Sequence, residues 1–404
     1  MHWMEMTPDE LKEYVLTFGE KGFRGTQLFE GIHGQRKSLD ALSNVPDSLK
    51  NALPEPLHGV KIVKRLASKL DETKKYLYEL EDGEIVEGVL MKYHHGYSLC
   101  VSTQVGCRMG CSFCVSTLKG RIRDLTPFEM LSQIYAVEEA ESVSIGNIIL
   151  MGSGEPFDNY DNVLRFLRLL HEPKGKNMSY RSMTISTCGL VDGIRALADE
   201  GLPINLAISL HETEQGARAA LMPIARKYPL DELFRALRYY CDETKQRITL
   251  EYTLIRGKND QPRNIKEMKT LTRGLPCHVN LIPLNDTDHF DESKPSREHI
   301  VGFQRELSQA GVSCTIRREL GSDIQASCGQ LKAGSEAIKA RRYNDNICIH
   351  PYRWQGKYRR QLLRGSKEAI RHPGRRNGWT RSGGKGQRLG GEPLKRSALR
   401  TRGK

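Results

Sequence analysis

The sequence predicts an α/β fold, an incomplete barrel of about six strand–helix units behind a small helical N-terminal region. After about residue 97, short apolar runs alternate with amphipathic helical patterns, which is typical of parallel strands joined by crossover helices. About six such units favour an open barrel over the closed eight-fold form. In either form, ligands bind at the carboxyl ends of the strands.

The N-terminal region is expected to consist of short helices. Residues 7–10, Thr-Pro-Asp-Glu, form a capping box with proline at the first helical position. They predict a helix from Asp9 to about Phe18. Two further helical patterns cover residues 26–32 and 46–51.

A β pattern follows from Lys61. Apolar runs at 77–80 and 85–93 flank an Asp-Gly turn, which predicts a hairpin. The barrel strands are then expected at residues 99–101, 147–151, 183–186, 205–209, 248–254, 279–283 and 313–317. The helical patterns between them begin with a second capping box at 126–129 and continue at 162–171, 192–198, 231–241, 263–272 and 296–310. We therefore divide the chain into a helical region (1–60), a hairpin linker (61–96), a core (97–334) and a tail (335–404).

The positive charge is concentrated at the C-terminal end. The 404 residues carry a formal net charge of +13, which by itself would indicate a nucleic-acid-binding surface. Residues 331–404 hold 21 Lys and Arg against 4 Asp and Glu, whereas residues 1–330 hold 41 against 45. The main body is therefore mildly acidic. The tail is rich in Gly, Arg and Ser and lacks sustained apolar periodicity, so most of it is expected to be disordered.

The composition also predicts a cellular compartment. No stretch approaches the roughly 18 apolar residues of a membrane span, and the N-terminus lacks the pattern of a secretory signal. A reducing cytosol is therefore expected. The ten cysteines then indicate metal-binding or catalytic thiols rather than a disulfide framework.

Three cysteines lie close together just after the first expected barrel strand. Cys107, Cys111 and Cys114 form a Cys-x3-Cys-x2-Cys run. A structural zinc site needs four ligands, and no fourth Cys or His stands at a zinc-like spacing. Three thiolates on a four-iron cluster would leave one iron open to another ligand. Such a cluster is the favoured interpretation, with zinc or buried thiols as alternatives.

This cysteine run resembles the motif of the radical S-adenosylmethionine (SAM) superfamily. In that superfamily the open iron binds the amino and carboxylate groups of SAM, and an electron from the cluster cleaves SAM to a 5′-deoxyadenosyl radical. The resemblance implies a [4Fe-4S] cluster and SAM as cofactors, and a radical SAM barrel as the fold. It also implies an electron donor such as flavodoxin or ferredoxin.

Polar residues and glycines follow successive strands. They lie at 152–156, 186–189 and 209–211 and at Asn285. Taken singly, each fits a turn or cap, and a lone histidine such as His211 is more often structural than a ligand. Taken together at the ends of neighbouring strands, they predict one shared ligand site.

A wider set of segments resembles the RlmN/Cfr family of adenosine methyltransferases, from about residue 5 to 334, and most closely its RlmN members. The segments are 86–89, 100–107, 221–224, 280–283, 315–318 and 328–331. The resemblance implies that SAM contacts Gly154, Glu155, Ser186, Ser209, Leu210, His211 and Asn285. The sequence departs from the family pattern at Gln325, where an acidic residue is usual, and at Ala225, where asparagine is usual.

The resemblance also implies a covalent mechanism. Carbon 2 of adenine is a poor nucleophile, so the family first methylates a cysteine, here Cys328, from one SAM. A second SAM yields the radical that converts this methyl into a methylene radical, which adds to adenine and tethers RNA to protein. Glu87 matches the base that removes the ring proton, and Cys100 matches the thiol that releases RNA by forming a disulfide with Cys328. From composition alone, Cys328 would be interpreted as a surface thiol and Cys100 as a buried strand residue.

The expected activity is methylation of carbon 2 of one adenosine in 23S rRNA and of the adenosine next to the anticodon in tRNA. A monomer that binds both RNA classes and no membrane is expected, with residues 1–60 helping to position RNA. One alternative is methylation at carbon 8 of the same rRNA adenosine, as in the Cfr members. A less favoured alternative is a zinc-containing RNA-binding protein without catalytic activity.

Overall fold

A ten-stranded sheet organises the protein in the computed structural model, which describes residues 1–54, 59–285, 290–327 and 329–331. Cys328 and the expected tail at 335–404 lie outside the described residues. The strands are β1 (Lys61–Ala67), β2 (Lys74–Glu79), β3 (Ile85–Tyr93), β4 (Gly96–Cys100), β5 (Gln104–Gly106), β6 (Arg121–Asp124), β7 (Ile145–Leu150), β8 (Met183–Thr187), β9 (Asn205–Ser209), β10 (Ile248–Leu254), β11 (Cys277–Pro283) and β12 (Cys314–Ile316).

Ten α-helices accompany these strands in the described part of the chain. They are α1 (Pro8–Leu16), α2 (Phe23–Phe29), α3 (Asp47–Ala52), α4 (Pro127–Glu141), α5 (Tyr160–His171), α6 (Val191–Asp199), α7 (Gln215–Leu221), α8 (Leu230–Thr244), α9 (Pro262–Thr272) and α10 (Arg297–Gln309). None of these described helices combines the length and apolar character required to cross a bilayer.

The order of the strands gives an open, mostly parallel sheet. It runs β1-β2-β3-β4-β7-β8-β9-β10-β11-β12, and β1 to β4 pair antiparallel. From β4 onward every neighbour is parallel, and each crossover in the described chain contains at least one helix. Because β1 and β12 are the two edges of the described sheet, the expected incomplete α/β barrel is confirmed.

The expected barrel strands are all present close to their predicted positions, whereas the small elements between them were not predicted. β5 and β6 form a separate two-stranded sheet, and α7 lies between β9 and α8. Strands of three or four residues are too short to show an alternating pattern. These unpredicted elements carry much of the site.

Both predicted capping boxes are formed. The Thr7 hydroxyl accepts from the Glu10 amide at 3.3 Å, and the Glu10 carboxylate accepts from the Thr7 amide at 2.7 Å. Thr126 and Glu129 repeat this exchange at the start of α4. The two boxes fix where α1 and α4 begin.

The N-terminal helical region packs against α4. His33 Nδ1 lies 2.8 Å from the Tyr135 hydroxyl, and the Arg36 guanidinium stacks 3.2 Å from the centre of the same ring. At the other end of α4, the Phe128 amide donates to the Glu5 carboxylate at 3.3 Å. These contacts fix the helical region to the first crossover of the barrel.

Candidate active site

The cysteine triplet lies on a loop closed by the β5–β6 pair. Gln104 opposes Asp124 in this pair, and the Cys107 amide donates to the Gly120 carbonyl at 3.1 Å. Gly106 has φ +76°, and a side-chain carbon there would clash with the Gly120 carbonyl oxygen. The loop can therefore close only with glycine at position 106.

The three cysteines face an apolar cluster. Cys107 and Cys111 are buried together with Cys188 and Met222, and the half-buried Cys114 packs against them. Burial raises the pKa of the Cys107 thiol to about 12, and nearby carboxylate and thiolate charges add to the increase. Burial likewise raises the pKa of Cys111 well above its ordinary value. These thiols therefore need a cationic partner to become thiolates.

This donor set fits the [4Fe-4S] cluster that the sequence suggested. Three thiols meet in one water-poor pocket on a single loop. Within the described part of the chain, no three Cys, His, Asp or Glu side chains are grouped so that they could hold one metal ion. In a cluster, however, each thiolate binds its own iron, so the sulfurs do not have to converge on one ion.

A buried arginine lies beside these thiols. Arg218 of α7 is fully buried and donates from Nε to the Leu210 carbonyl at 3.1 Å. Its Nη2 donates to the carbonyls of Cys188 at 2.9 Å and Ser209 at 3.2 Å, so it ties together the ends of β8 and β9. Its Nη1 is buried without a protein partner. A buried cation with an unused donor fits a neighbouring anionic cluster, and the sequence analysis did not identify it.

Gly154 and Glu155 close the end of β7 against the cysteine loop. Gly154 has φ +110°, and a side-chain carbon there would lie 2.7 Å from Cβ of Gln104. The buried Glu155 receives a 2.8 Å hydrogen bond from the Cys188 amide and another from the Phe157 amide. Burial raises the pKa of Glu155, and these amide bonds oppose part of the increase. The carboxylate thus links the ends of β7 and β8.

Leu210 and His211 form the turn after β9. His211 has φ +53°, and its Nδ1 accepts from the Thr253 amide at 3.1 Å, so the ring proton is on Nε2. Its ring meets the edge of Phe113 from the cysteine loop, with centroids 4.9 Å apart. Burial, and to a smaller extent Arg218, lowers the pKa of His211 to about 3. The imidazole is therefore a neutral group beside the loop.

The two predicted serines share one face of the sheet. Ser186 of β8 opposes Ala207 of β9, and Ser209 lies two residues further along that strand. Ser209 in turn opposes Glu251 of β10. Because paired residues and residues two apart point to one face of a sheet, Ser186, Ser209 and Glu251 lie on the same side.

An open cavity lies at the carboxyl-terminal edge of the sheet. Its empty volume is about 620 Å³, including its mouth. Two predicted site residues, Cys100 and Asn285, belong to its lining. The full lining is Val89, Met91, Tyr93, Cys100, Ile149, Met151, Ile282, Pro283, Asn285, Arg317, Arg318, Glu319, Leu320, Ala326, Ser327 and Leu331. The lining therefore reaches the residues on both sides of Cys328 in the sequence.

The predicted site residues fall into two neighbouring groups. Glu155 and His211 lie with the cysteine loop, whereas Cys100 and Asn285 line the cavity. Glu87 is on β3, two residues before Val89, which pairs directly with Cys100 of β4. Glu87 is buried and does not line the cavity.

The Glu87 carboxylate has a buried lysine as its neighbour, which the sequence analysis did not identify. The Nζ atom of Lys75 on β2 lies 2.8 Å from Glu87 Oε2, and both side chains are less than 10% exposed. The same Nζ donates to the Gln325 carbonyl at 3.0 Å. The sequence gives no signal for this pair, because Lys75 follows Lys74 ahead of the apolar run at 77–80 and only the structure shows that its side chain is buried.

Comparisons with known proteins agree with this architecture. The family model described as "Radical SAM superfamily" matches residues 101–268. The chain is 47% identical over 331 residues to "Probable dual-specificity RNA methyltransferase RlmN" of Alkaliphilus oremlandii, covering 81% of this chain and 96% of the relative. It is equally 47% identical over 332 residues to the protein of that name from Clostridium botulinum, covering 81% and 97%.

A solved structure matches over the same length. The "Crystal Structure of a radical SAM methyltransferase from Sphaerobacter thermophilus" superimposes with a TM-score of 0.79 at 41% identity, covering 82% of this chain and 99% of that one. Radical SAM enzymes use a [4Fe-4S] cluster and SAM, and the cysteine loop described above suits that chemistry. The chain belongs to the RlmN family of radical SAM RNA methyltransferases.

Proposed function

We propose that this enzyme methylates carbon 2 of one adenosine in 23S rRNA and of the adenosine next to the anticodon in tRNA. The reaction proceeds through a methylated Cys328 and a covalent RNA adduct, and consumes two SAM molecules. The observation that carries the proposal is the position of Cys100. Its buried side chain packs with Val89, Ala326 and Leu331, so a thiol lies on the cavity wall beside the segment that contains Cys328.

Release of the RNA needs the two cysteines to react with each other. The Cys100 thiolate attacks the Cys328 sulfur, a disulfide forms, and the bond from that sulfur to the transferred carbon breaks. The electron pair stays on the carbon, which takes up a proton and remains on adenine as the methyl group. Before this step, the adduct radical must give up one electron, which the cluster would take back, and the Glu87 carboxylate accepts the proton from carbon 2.

The remaining site residues bind and orient the cofactors. Cys107, Cys111 and Cys114 hold the cluster, and SAM contacts Gly154, Glu155, Ser186, Ser209, Leu210, His211 and Asn285. The cluster and SAM supply the methyl group and the radical chemistry. The protein supports their binding because Gly154 allows close backbone approach and His211 presents a neutral N–H at the carboxyl ends of the strands.

Several cellular properties belong to the same proposal. The enzyme works as a monomer in the cytoplasm, where its thiols stay reduced, and receives electrons from a flavodoxin or ferredoxin. The helical region at 1–60 positions structured RNA, the hairpin at 61–96 carries the base, and the core at 97–334 carries the cofactors. The target adenosine leaves its stack to enter the site.

Cys100→Ala provides the decisive test. Without the second thiol the adduct cannot resolve, so a protein–RNA crosslink is expected to accumulate and to be visible on a denaturing gel. Cys277→Ala is the matched control, because Cys277 is a half-buried cysteine on β11 outside the cavity lining. Rapid release of methylated RNA from Cys100→Ala would overturn the assignment.

Mass spectrometry of the nucleosides distinguishes the rival reactions. The proposal predicts 2-methyladenosine in both RNA classes, whereas a Cfr-type enzyme would give 8-methyladenosine. Anaerobic reconstitution with iron and sulfide tests the third alternative, a zinc-containing protein without catalytic activity. Zinc bound without an iron–sulfur absorbance would favour a non-catalytic RNA-binding protein.

A further inference from the structure

Lys75 and Glu87 face the same side of the sheet on neighbouring strands. Lys75 pairs with Val89 across the β2–β3 ladder, and Leu77 pairs with Glu87. Lys75 and Glu87 are therefore diagonal neighbours on one face, which explains the 2.8 Å distance between Nζ and Oε2. That face continues through Val89 into the cavity.

Lys75 also holds the chain segment that leads to Cys328. Its Nζ donates to the main-chain carbonyl of Gln325 at 3.0 Å, three residues before Cys328 in the sequence. Gln325 has φ +51°, a conformation that a residue with a side chain adopts at a cost. Because the contact uses the carbonyl, it does not depend on the side chain at position 325.

Further contacts bring this segment to the turn between β1 and β2. The Asp323 carboxylate accepts from the Ser68 hydroxyl at 2.7 Å and from the Lys69 amide at 2.8 Å. The Gly321 amide donates to Asp71 at 3.0 Å. The turn between β1 and β2 therefore anchors residues 321–323, and the Lys75 ammonium on β2 contacts both Glu87 and the Gln325 carbonyl.

We propose that Lys75 is a positioning residue for RNA release, which keeps Glu87 ionised and fixes its place relative to the Cys328 segment. This inference rests on the function proposed above. A buried carboxylate without a nearby cation would take up a proton and lose its ability to act as a base. The hydrogen bond from Lys75 to the Gln325 carbonyl does not depend on the proton that Glu87 accepts.

This role is tested by measuring two half-reactions separately, the methylation of Cys328 and the release of methylated RNA. Methylation of Cys328 releases the thiol proton, for which Glu87 is not the proposed acceptor, whereas release of methylated RNA requires Glu87 to accept the proton from carbon 2. Lys75→Met in the full-length, cluster-loaded enzyme is therefore expected to methylate Cys328 within about twofold of wild type, and to release methylated RNA at least about tenfold more slowly. Peptide mass spectrometry follows the first step, and single-turnover nucleoside analysis follows the second. Equal loss in both steps, or no loss in either, would overturn the proposal.

Lys74→Met is the matched control. Lys74 is the preceding residue on β2, and its ammonium pairs with Glu141 at 2.5 Å on α4, away from the cavity. The Lys74→Met variant removes a lysine and an ion pair from the same strand, yet both half-reactions are expected to stay close to wild type. A release defect in Lys74→Met as large as that of Lys75→Met would show that general weakening of β2 is responsible.

The double variant Lys75→Met/Glu87→Gln covers the case in which Lys75→Met does not fold, because it removes both buried charges. It is expected to release RNA no more slowly than Glu87→Gln alone. An additional tenfold loss would overturn the role of Lys75 in positioning Glu87. Glu87→Gln also distinguishes an error in the proposed role of Glu87 from an error in the proposed role of Lys75. Wild-type release from Glu87→Gln would contradict the proposed base, whereas slow release from it with wild-type release from Lys75→Met would contradict only the inference.

Discussion

At the scale of single residues, burial determines which groups of the site carry charge. His211 is neutral because burial lowers its pKa, while Arg218 remains in the interior with three carbonyl partners. The Glu87 carboxylate is matched by a buried ammonium. Glu251 is buried without so close a cation, because its nearest partner is the Asn280 amide at 2.9 Å and Arg317 lies further away, at 3.7 Å.

Glu251→Gln is expected to change how stability depends on pH. Burial raises the pKa of Glu251 above its ordinary 4.5, and Arg317 and Asn280 oppose part of that increase. The folded chain therefore holds this proton more tightly than the unfolded chain does. The resulting stabilisation is present below about pH 4.5 and is lost as the pH rises through the folded-state pKa. Urea unfolding should show wild type losing stability relative to the variant as the pH rises above about 4.5.

Glu298→Gln gives a control with the opposite sign. Hydrogen bonds from its own amide and from Ser296 lower the pKa of Glu298 on the surface of α10. Its stabilisation is lost as the pH falls below the ordinary pKa of 4.5, so wild type should gain relative to this variant as the pH rises towards about 4.5, and the difference should stay constant above it. A constant difference between wild type and Glu251→Gln would contradict the prediction.

At the scale of elements, sequence patterns predict structures that rest on periodicity or on local hydrogen bonds. They do not predict contacts that depend on the register between two strands. The seven barrel strands and both capping boxes follow from periodicity and local hydrogen bonding. The contact between Lys75 and Glu87 depends on the pairing of β2 with β3, which the two strand patterns do not specify. Arg218 reaches the ends of β8 and β9 from a seven-residue helix that shows no clear pattern of its own.

The β5–β6 hairpin, which carries the cysteine loop, should not tolerate a side chain at position 106. Gly106→Ala introduces a side-chain carbon against the Gly120 carbonyl, which must open the pair between β5 and β6. We expect the iron content per chain after anaerobic reconstitution to fall below about half of the wild-type value.

Gly120→Ala separates this clash from backbone strain. Gly120 has φ +67°, but no atom lies within 4 Å of the place that a side-chain carbon would take. Alanine there therefore adds only the cost of a left-handed backbone, about 1 kcal/mol. It should bind iron like wild type. Equal iron contents in Gly106→Ala and wild type would show that the cysteine loop holds iron even when the pair between β5 and β6 is open.

At the scale of the whole molecule, the net charge is negative in the body (1–330) and positive in the C-terminal part (331–404), which matters for the binding of phosphates. Two arginines of the body, Arg121 and Arg123, are occupied by carboxylates. Arg121 lies 2.9 Å from Asp124, and Arg123 pairs with both Asp82 and Glu129. Arg317 and Arg318 instead line the cavity. Since residues 1–330 carry a net charge of −4, two alternatives are open for the tail: it supplies most of the attraction to phosphates, or it is an incidental extension.

On the first alternative, removal of residues 334–404 should weaken RNA binding in a salt-dependent way. Residues 334–404 hold 20 Lys and Arg against 4 Asp and Glu, and each phosphate contact contributes close to one unit to the slope of log Kd against log salt. We expect this slope to become shallower by about two or more, measured by fluorescence anisotropy with an rRNA hairpin. A chain in which a Gly/Ser segment of equal length replaces the tail should behave like the truncated chain, because length alone supplies no charge. Methylation of Cys328 should persist in both, because the body retains the cysteine loop and cavity. An unchanged slope and affinity in the truncated chain would show that the body alone holds the RNA, through arginines such as those at the cavity.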